Sequence, residues 1–162
     1  MPLEKDKHFM KAALKAAKKA RENGEVPVGA VLVKDDQIIS TGQNSPITLN
    51  DPTAHAEIIA LREGGEKLKN YRLIDTILYV TIEPCTMCMG AIMHARVKKL
   101  VFGTFDPRAG AAGSLFDFTI ENKFNHNVEV KSGILESECR ELIQDFFKQK
   151  RNKPIRRDGR AG

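Results

Sequence analysis

The chain lacks any run approaching the roughly 20 apolar residues that a membrane span requires, so no transmembrane helix is expected. Its first ten residues, MPLEKDKHFM, carry charge and have no apolar core followed by a small-residue cleavage site. No signal peptide is read there, and a cytoplasmic location is expected. Cysteine is scarce: Cys85, Cys88 and Cys139 are the whole supply. Such an odd, small number excludes a disulfide framework, and in a cytoplasmic chain a C-x-x-C pair points to metal or redox chemistry instead. No internal repeat, low-complexity stretch or compositional break divides the chain, so one domain is expected.

What is present fits an ordered globular domain. The 162 residues are 41% apolar and 29% charged, enough to bury a real core. The net charge of +5 is unevenly placed. Residues 148–162 hold seven basic residues and one acid, which leaves 19 basic against 20 acidic residues elsewhere. The basic character thus belongs to Lys148, Lys150, Arg151 and the segment 153–162. A basic end suits a polyanion such as RNA, whose phosphates bind Lys and Arg with release of counterions. The same end also reads as a solvated tail.

Periodicity predicts a helix over 6–23, with Phe9, Ala13, Ala16 and Ala20 at steps of three and four and Gly24 as its stop. VPVGAVLV (26–33) and IISTG (38–42) read as a hairpin about KDDQ. Gln43 to Thr53 is expected to be a loop. Asp51 and Pro52 are suited to start a helix that runs to about Arg62, with EGGEKLKN as its loose end. TILYVTI (76–82) is a continuous apolar run, typical of a strand buried on both faces. A helix follows it directly, then the strand KLVFGTF (99–105), so this pair should be parallel. DPRAGAAGS (106–114) is a loop, and 115–126 is open, with a short helix as one choice. A strand over 128–134 and an amphipathic helix over 136–151 complete the chain. The order predicts an α/β fold: a mixed sheet with helices on both faces.

The chemistry concentrates at the starts of two predicted helices. In EPCTMC (83–88), Cys85 and Cys88 are three residues apart and face one side of a first helical turn. Thiolate is the metal-binding form, and a helix N-terminus favours negative charge. Alone, the pair also reads as a redox couple or half of a zinc ribbon. His55, in NDPTAHAEIIAL (50–61), is the natural third ligand, on a helix expected to follow a strand beside that of the cysteines. Two Cys and one His leave a tetrahedral zinc site open, and open sites are catalytic, lowering the pKa of a bound water towards about 7. Glu57 then becomes a proton carrier. Positions i and i+2 point apart on a regular helix, but side chains lean towards the helix N-terminus. From a first turn, His55 and Glu57 can both reach an atom lying off the helix end. The competing arrangement is a closed structural site with Cys139 as fourth ligand, which leaves Glu57 without a role.

HAE followed by PCTMC resembles the cytidine-deaminase superfamily, whose established signature is H-x-E…P-C-x-x-C. EVPVGAVLV, GQN, DPTAHAEI, EPCTMCMGAI and FGTFDPRAGAAGSL resemble, more closely, the bacterial tRNA-specific adenosine deaminases. The likeness covers about residues 5–151. It implies a three-layer α/β/α cytidine-deaminase-like fold with a mixed five-stranded sheet, a zinc-dependent deaminase domain over 1–152, and a basic tail over 153–162. It also implies one Zn2+ per subunit, a homodimer, and the wobble adenosine of a tRNA anticodon stem-loop as substrate, converted to inosine with Glu57 relaying protons. By the same resemblance, Asn44 hydrogen-bonds the target base and Asp106 contacts the nucleotide backbone. Phe147 stacks near the anticodon loop. Lys148, Lys150 and Arg151 meet phosphates. Each has a plainer role as well: Asn44 and Asp106 as turn residues, Phe147 as core.

Two rival functions remain at this level. A guanine or other nucleobase deaminase would use the same zinc and glutamate, but a free base needs no basic surface. A zinc-stabilised RNA-binding subunit without catalysis would leave Glu57 idle.

Overall fold

The structure is a computed structural model that describes residues 2–120 and 124–152. Among these, the elements are α1 (Pro2–Glu22), β1 (Gly29–Lys34), β2 (Gln37–Gln43), α2 (Pro46–Leu49), α3 (Ala56–Leu68), β3 (Ile77–Ile82), α4 (Thr86–His94), β4 (Lys99–Thr104), β5 (Glu129–Lys131) and α5 (Glu136–Arg151). The sheet order is β2-β1-β3-β4-β5. β1 runs antiparallel to both β2 and β3, while β3, β4 and β5 are parallel. The sheet is therefore mixed and five-stranded, as the sequence predicts. No described helix is long and apolar enough to cross a membrane.

The continuous apolar runs have a plain cause: both sheet faces are covered. Ala30, Leu32, Leu78, Val80, Leu100 and Phe102 point to one side, where Ala56, Ala60 and Leu61 of α3 and Met89 and Ile92 of α4 pack. Val31, Val33, Tyr79 and Val101 point to the other, against Phe9, Met10, Ala13 and Leu14 of α1 and Cys139 and Leu142 of α5. On that second face the buried Asp6 joins three elements. Its carboxylate accepts the Tyr79 hydroxyl at 2.7 Å and pairs with Lys131 at 2.6 Å.

Several expectations are corrected. The segment 43–53 is not all loop, because α2 lies inside it. The buried Glu25 carboxylate accepts the N–H groups of Ile47 (3.3 Å) and Thr48 (2.7 Å), satisfying donors at the start of that short helix. This partner is over twenty residues away, so no local signal announces it. α3 begins after His55 rather than at Asp51, whose Oδ1 instead accepts from the Thr53 N–H and hydroxyl in a turn. α3 also runs past Arg62 to Leu68, through both glycines. Gly64 is there for space: an added Cβ would lie 2.4 Å from Leu32 Cδ2. The helix ends at Lys69, in the left-handed region at φ 52°. Over 115–126, no described residue is helical.

Candidate active site

β2 and β3 run the same way on either side of β1, so their C-terminal ends lie at one edge of the sheet. α3 and α4 start from that edge and touch each other. The expectation of adjacent parent strands is corrected, since β1 separates them. The helix starts converge nonetheless.

His55 is the N-cap of α3 and Cys85 the N-cap of α4. Both are extended, at φ −71°, ψ 155° and φ −76°, ψ 177°, and neither side chain caps its helix. Both are left free to point off the helix ends. His55 Nδ1 lies 3.6 Å from Cys85 Sγ and 3.6 Å from Cys88 Sγ. The three ligand atoms all lie within 4.8 Å of one another. Zinc–sulfur bonds of about 2.3 Å and zinc–nitrogen bonds of about 2.0–2.1 Å, at tetrahedral angles, separate N and S by about 3.6 Å. The residues present therefore fit Zn2+, with one position left open. Cys139 is no part of it. It is 1% exposed in the core against α1 and α5, on the opposite sheet face.

The electrostatics of the cluster single out Cys85 as its thiolate. A hydrogen bond from the Cys88 thiol, with a further contribution from His55, brings the Cys85 thiol down to about 4 despite its burial. The same thiol–thiolate bond, together with burial, pushes Cys88 up. His55 is raised by its bond to Cys85, against the effect of burial.

Glu57, second residue of α3, is 3% exposed. Burial holds its carboxyl above the ordinary carboxylate range, with the charges of His55 and Cys85 and the Cys88 thiol acting on it. The i, i+2 problem disappears because His55 is an extended cap, not a helical residue. Glu57 is not among the three clustered ligand atoms.

Asn44 follows β2 and is 9% exposed. Its N–H donates to Val28 O at 3.0 Å, and the next residue, Ser45, donates to Ala54 O at 2.9 Å. This bond ties the Asn44 segment to the residue before His55. Asp106 opens the loop after β4, and its Oδ1 accepts from Arg108 N (3.1 Å) and Ala109 N (3.3 Å). Phe147, Lys148, Lys150 and Arg151 belong to α5. Phe147 is 40% exposed, and its ring meets that of Phe146 edge-on at 5.4 Å. Among the described residues, α5 contacts β3, β4 and α1 but neither α3 nor α4. These four residues therefore stand apart from the metal cluster within one chain. The basic residues beyond Asn152 lie outside the described part.

Sequence reasoning missed Glu83. It is 2% exposed, two residues before Cys85, and its carboxylate collects donors from Asp106, Ala112 and Ser114. The available signal was a charged residue at the end of a buried strand, immediately before proline.

Comparison with known proteins agrees with this geometry. Residues 3–104 match the cytidine and deoxycytidylate deaminase zinc-binding region. The chain is 54% identical over 149 residues to a tRNA-specific adenosine deaminase of Haemophilus influenzae, covering 91% of this chain and 86% of that one. A solved structure from work on A-to-I editing by tRNA:A34 deaminases at the wobble position superposes with a TM-score of 0.81 at 47% identity, over 83% of this chain and 98% of that one. A guanine deaminase of Bacillus subtilis is more distant, with a TM-score of 0.56 at 33% identity, over 96% of this chain and 80% of that one. The chain belongs to the zinc-dependent deaminases of the cytidine and deoxycytidylate deaminase family, within its tRNA-specific adenosine deaminase branch.

Proposed function

We propose that the chain converts the wobble adenosine of a tRNA anticodon to inosine. It acts as a cytoplasmic homodimer with residues 1–152 as its catalytic domain and 153–162 as a basic tail. The observation that carries the chemistry is Glu57, buried and unligated beside the His55–Cys85–Cys88 cluster. The 54% identical relative supports the substrate.

His55 Nδ1, Cys85 Sγ and Cys88 Sγ would hold Zn2+, which would supply Lewis-acid chemistry that lowers the pKa of water towards about 7. Glu57 does the proton work. It accepts the proton of the attacking water and passes it to the purine ring as the C6–O bond forms. It then takes the remaining proton from the new C6 hydroxyl and delivers it to the exocyclic nitrogen, and the C6–N bond breaks to release ammonia and leave the C6 carbonyl. Water and adenosine thus give inosine and ammonia, with no oxidant or reductant. A carboxyl held above its usual range suits both directions of transfer. Asn44 presents its side-chain amide to the base edge and Asp106 meets the nucleotide backbone. Phe147 stacks on an unpaired base, while Lys148, Lys150 and Arg151 face phosphates.

The guanine deaminase likeness keeps a free base as the second reading. Both are tested together with zinc-loaded protein, an anticodon stem-loop RNA bearing a wobble adenosine, and free guanine. Inosine at the wobble position alone is the expected result. Ammonia from guanine with unedited RNA would overturn the substrate while leaving the chemistry. Sedimentation should give two chains per particle.

A further inference from the structure

Glu83 sits between the end of β3 and Cys85, with its carboxylate turned into the 106–114 loop. Its Oε1 accepts from the Asp106 N–H at 3.0 Å and from the Ser114 hydroxyl. Its Oε2 accepts from Ala112 N–H at 2.9 Å and Ser114 N–H at 3.0 Å. One buried carboxylate thereby closes both ends of the loop. The loop also meets the metal-binding turn directly: Ala111 N–H donates to Pro84 O at 2.8 Å, and Gly110 bridges to Cys85. Gly110 is pressed against the carboxylate so closely that a Cβ there would fall 2.2 Å from the Glu83 carboxyl carbon. Burial of a carboxylate is costly unless its lone pairs are used, and four donors use them.

We propose that Glu83 is a positioning residue for RNA deamination. It fixes the 106–114 loop, and with it Asp106, against the turn that carries Cys85, so that metal turn and nucleotide contact share one frame. The inference rests on the reading of Asp106 as a nucleotide contact. Glu83 is placed on neither the metal nor the substrate, so its loss should weaken RNA binding more than it slows chemistry.

Glu83→Gln is informative because the amide has the same size but one donor end. With its oxygen in the place of Oε2, the bonds from Ala112 and Ser114 N–H persist. The amide nitrogen then faces the Asp106 N–H and the Ser114 hydroxyl. The hydroxyl can rotate and accept, but the Asp106 N–H cannot. The substitution therefore frees the Asp106 end of the loop selectively. Gly110→Ala displaces the same carboxylate from the other side. Ser114→Ala is milder, removing one hydroxyl donor and no backbone bond.

The test measures editing kinetics on the stem-loop, zinc content, and amide hydrogen exchange over 106–114 in zinc-loaded wild type and variants. Leu142→Ala, in the opposite core, controls for lost stability. For Glu83→Gln and Gly110→Ala, KM should rise about tenfold, on the scale of one N–H left unpaired. The kcat should stay within about threefold, one zinc should be retained, and exchange at Asp106 should speed up. Ser114→Ala should move KM in the same direction by less, and it decides the matter should the stronger variants not fold. Leu142→Ala should leave KM alone. Unchanged KM and exchange in the variants, or a fall in kcat alone, would overturn the proposal. Absence of wobble editing by wild type would instead overturn the substrate reading, and exchange over 106–114 would still decide whether Glu83 holds the loop.

Discussion

Glu57→Gln separates chemistry from folding at this site. A positioned acid–base group contributes about 10²–10⁴ in rate. Glu57 is asked to handle two proton transfers, so the loss in kcat should fall near the upper end, about 10³–10⁴, or about 4–5.5 kcal/mol of barrier. The structure sets the other two readouts. The substitution is isosteric at a position 3% exposed, so no cavity opens. Burial already disfavours the charged carboxylate, and a neutral amide is easier to hold there. The melting temperature should therefore be no lower than that of wild type. The atoms that could hold the metal are His55 Nδ1 and the two cysteine sulfurs, so one zinc per chain should remain. Single-turnover inosine formation, metal analysis and a thermal melt cover all three. A rate within tenfold of wild type with zinc retained refutes the proton-carrier role. A rate loss accompanied by zinc loss places Glu57 among the ligands and refutes the open-site geometry.

Chelation should lower the melting temperature by about 8–16 °C, from about 4 kcal/mol of linkage at a thousandfold excess of ligand over Kd and about 2–4 °C per kcal/mol. Added Zn2+ should restore it, and a His55→Ala protein should respond to neither treatment. Cys139 offers a pH test: burial pushes its thiol from 9.0 up to about 12. A raised folded pKa gives stability that is whole below pH 9 and lost as pH climbs towards 12, up to about 4 kcal/mol over the interval. Cys139→Ala should flatten that alkaline limb in denaturant titrations. Tyr79 is raised too, by burial and its bond to Asp6, but it acts in both proteins and cancels in the difference. Alanine at Lys148, Lys150 and Arg151 together should make the salt dependence of RNA binding shallower by up to about 2 in log–log slope. Phe147→Ala should cost binding about 1–3 kcal/mol with little change in melting, because the ring is 40% exposed.

What the sequence shows and hides follows from how local each feature is. The α5 bounds are legible at 136–151 because an apolar stripe lies between first-turn acids and last-turn bases. β3 and β4 are legible as apolar runs because both of their faces are covered. α3 is misread at both ends for one reason: Asp51 and Gly64 look like helix signals, yet each answers to something other than the helix's own pattern. Asp51 closes a turn with Thr53, and Gly64 makes room for Leu32 from β1. The metal cluster is legible because each half of it is the end of one helix. An N-cap histidine and a C-x-x-C first turn carry their geometry within a few residues. Glu57 is legible for the same reason, once its helix is known to begin just after His55. Glu83 differs in kind. Its four donors arrive from residues 106 to 114, more than twenty positions away, and no periodicity or spacing encodes them. Glu25 beneath α2 is another such case. The reaction is thus encoded by two helix ends that any reader of the chain can find. The placing of the loop that would meet the substrate depends on a buried carboxylate whose partners exist only after the sheet has formed. Substitutions at Glu83 should accordingly alter how tightly RNA is bound before they alter what is done to it.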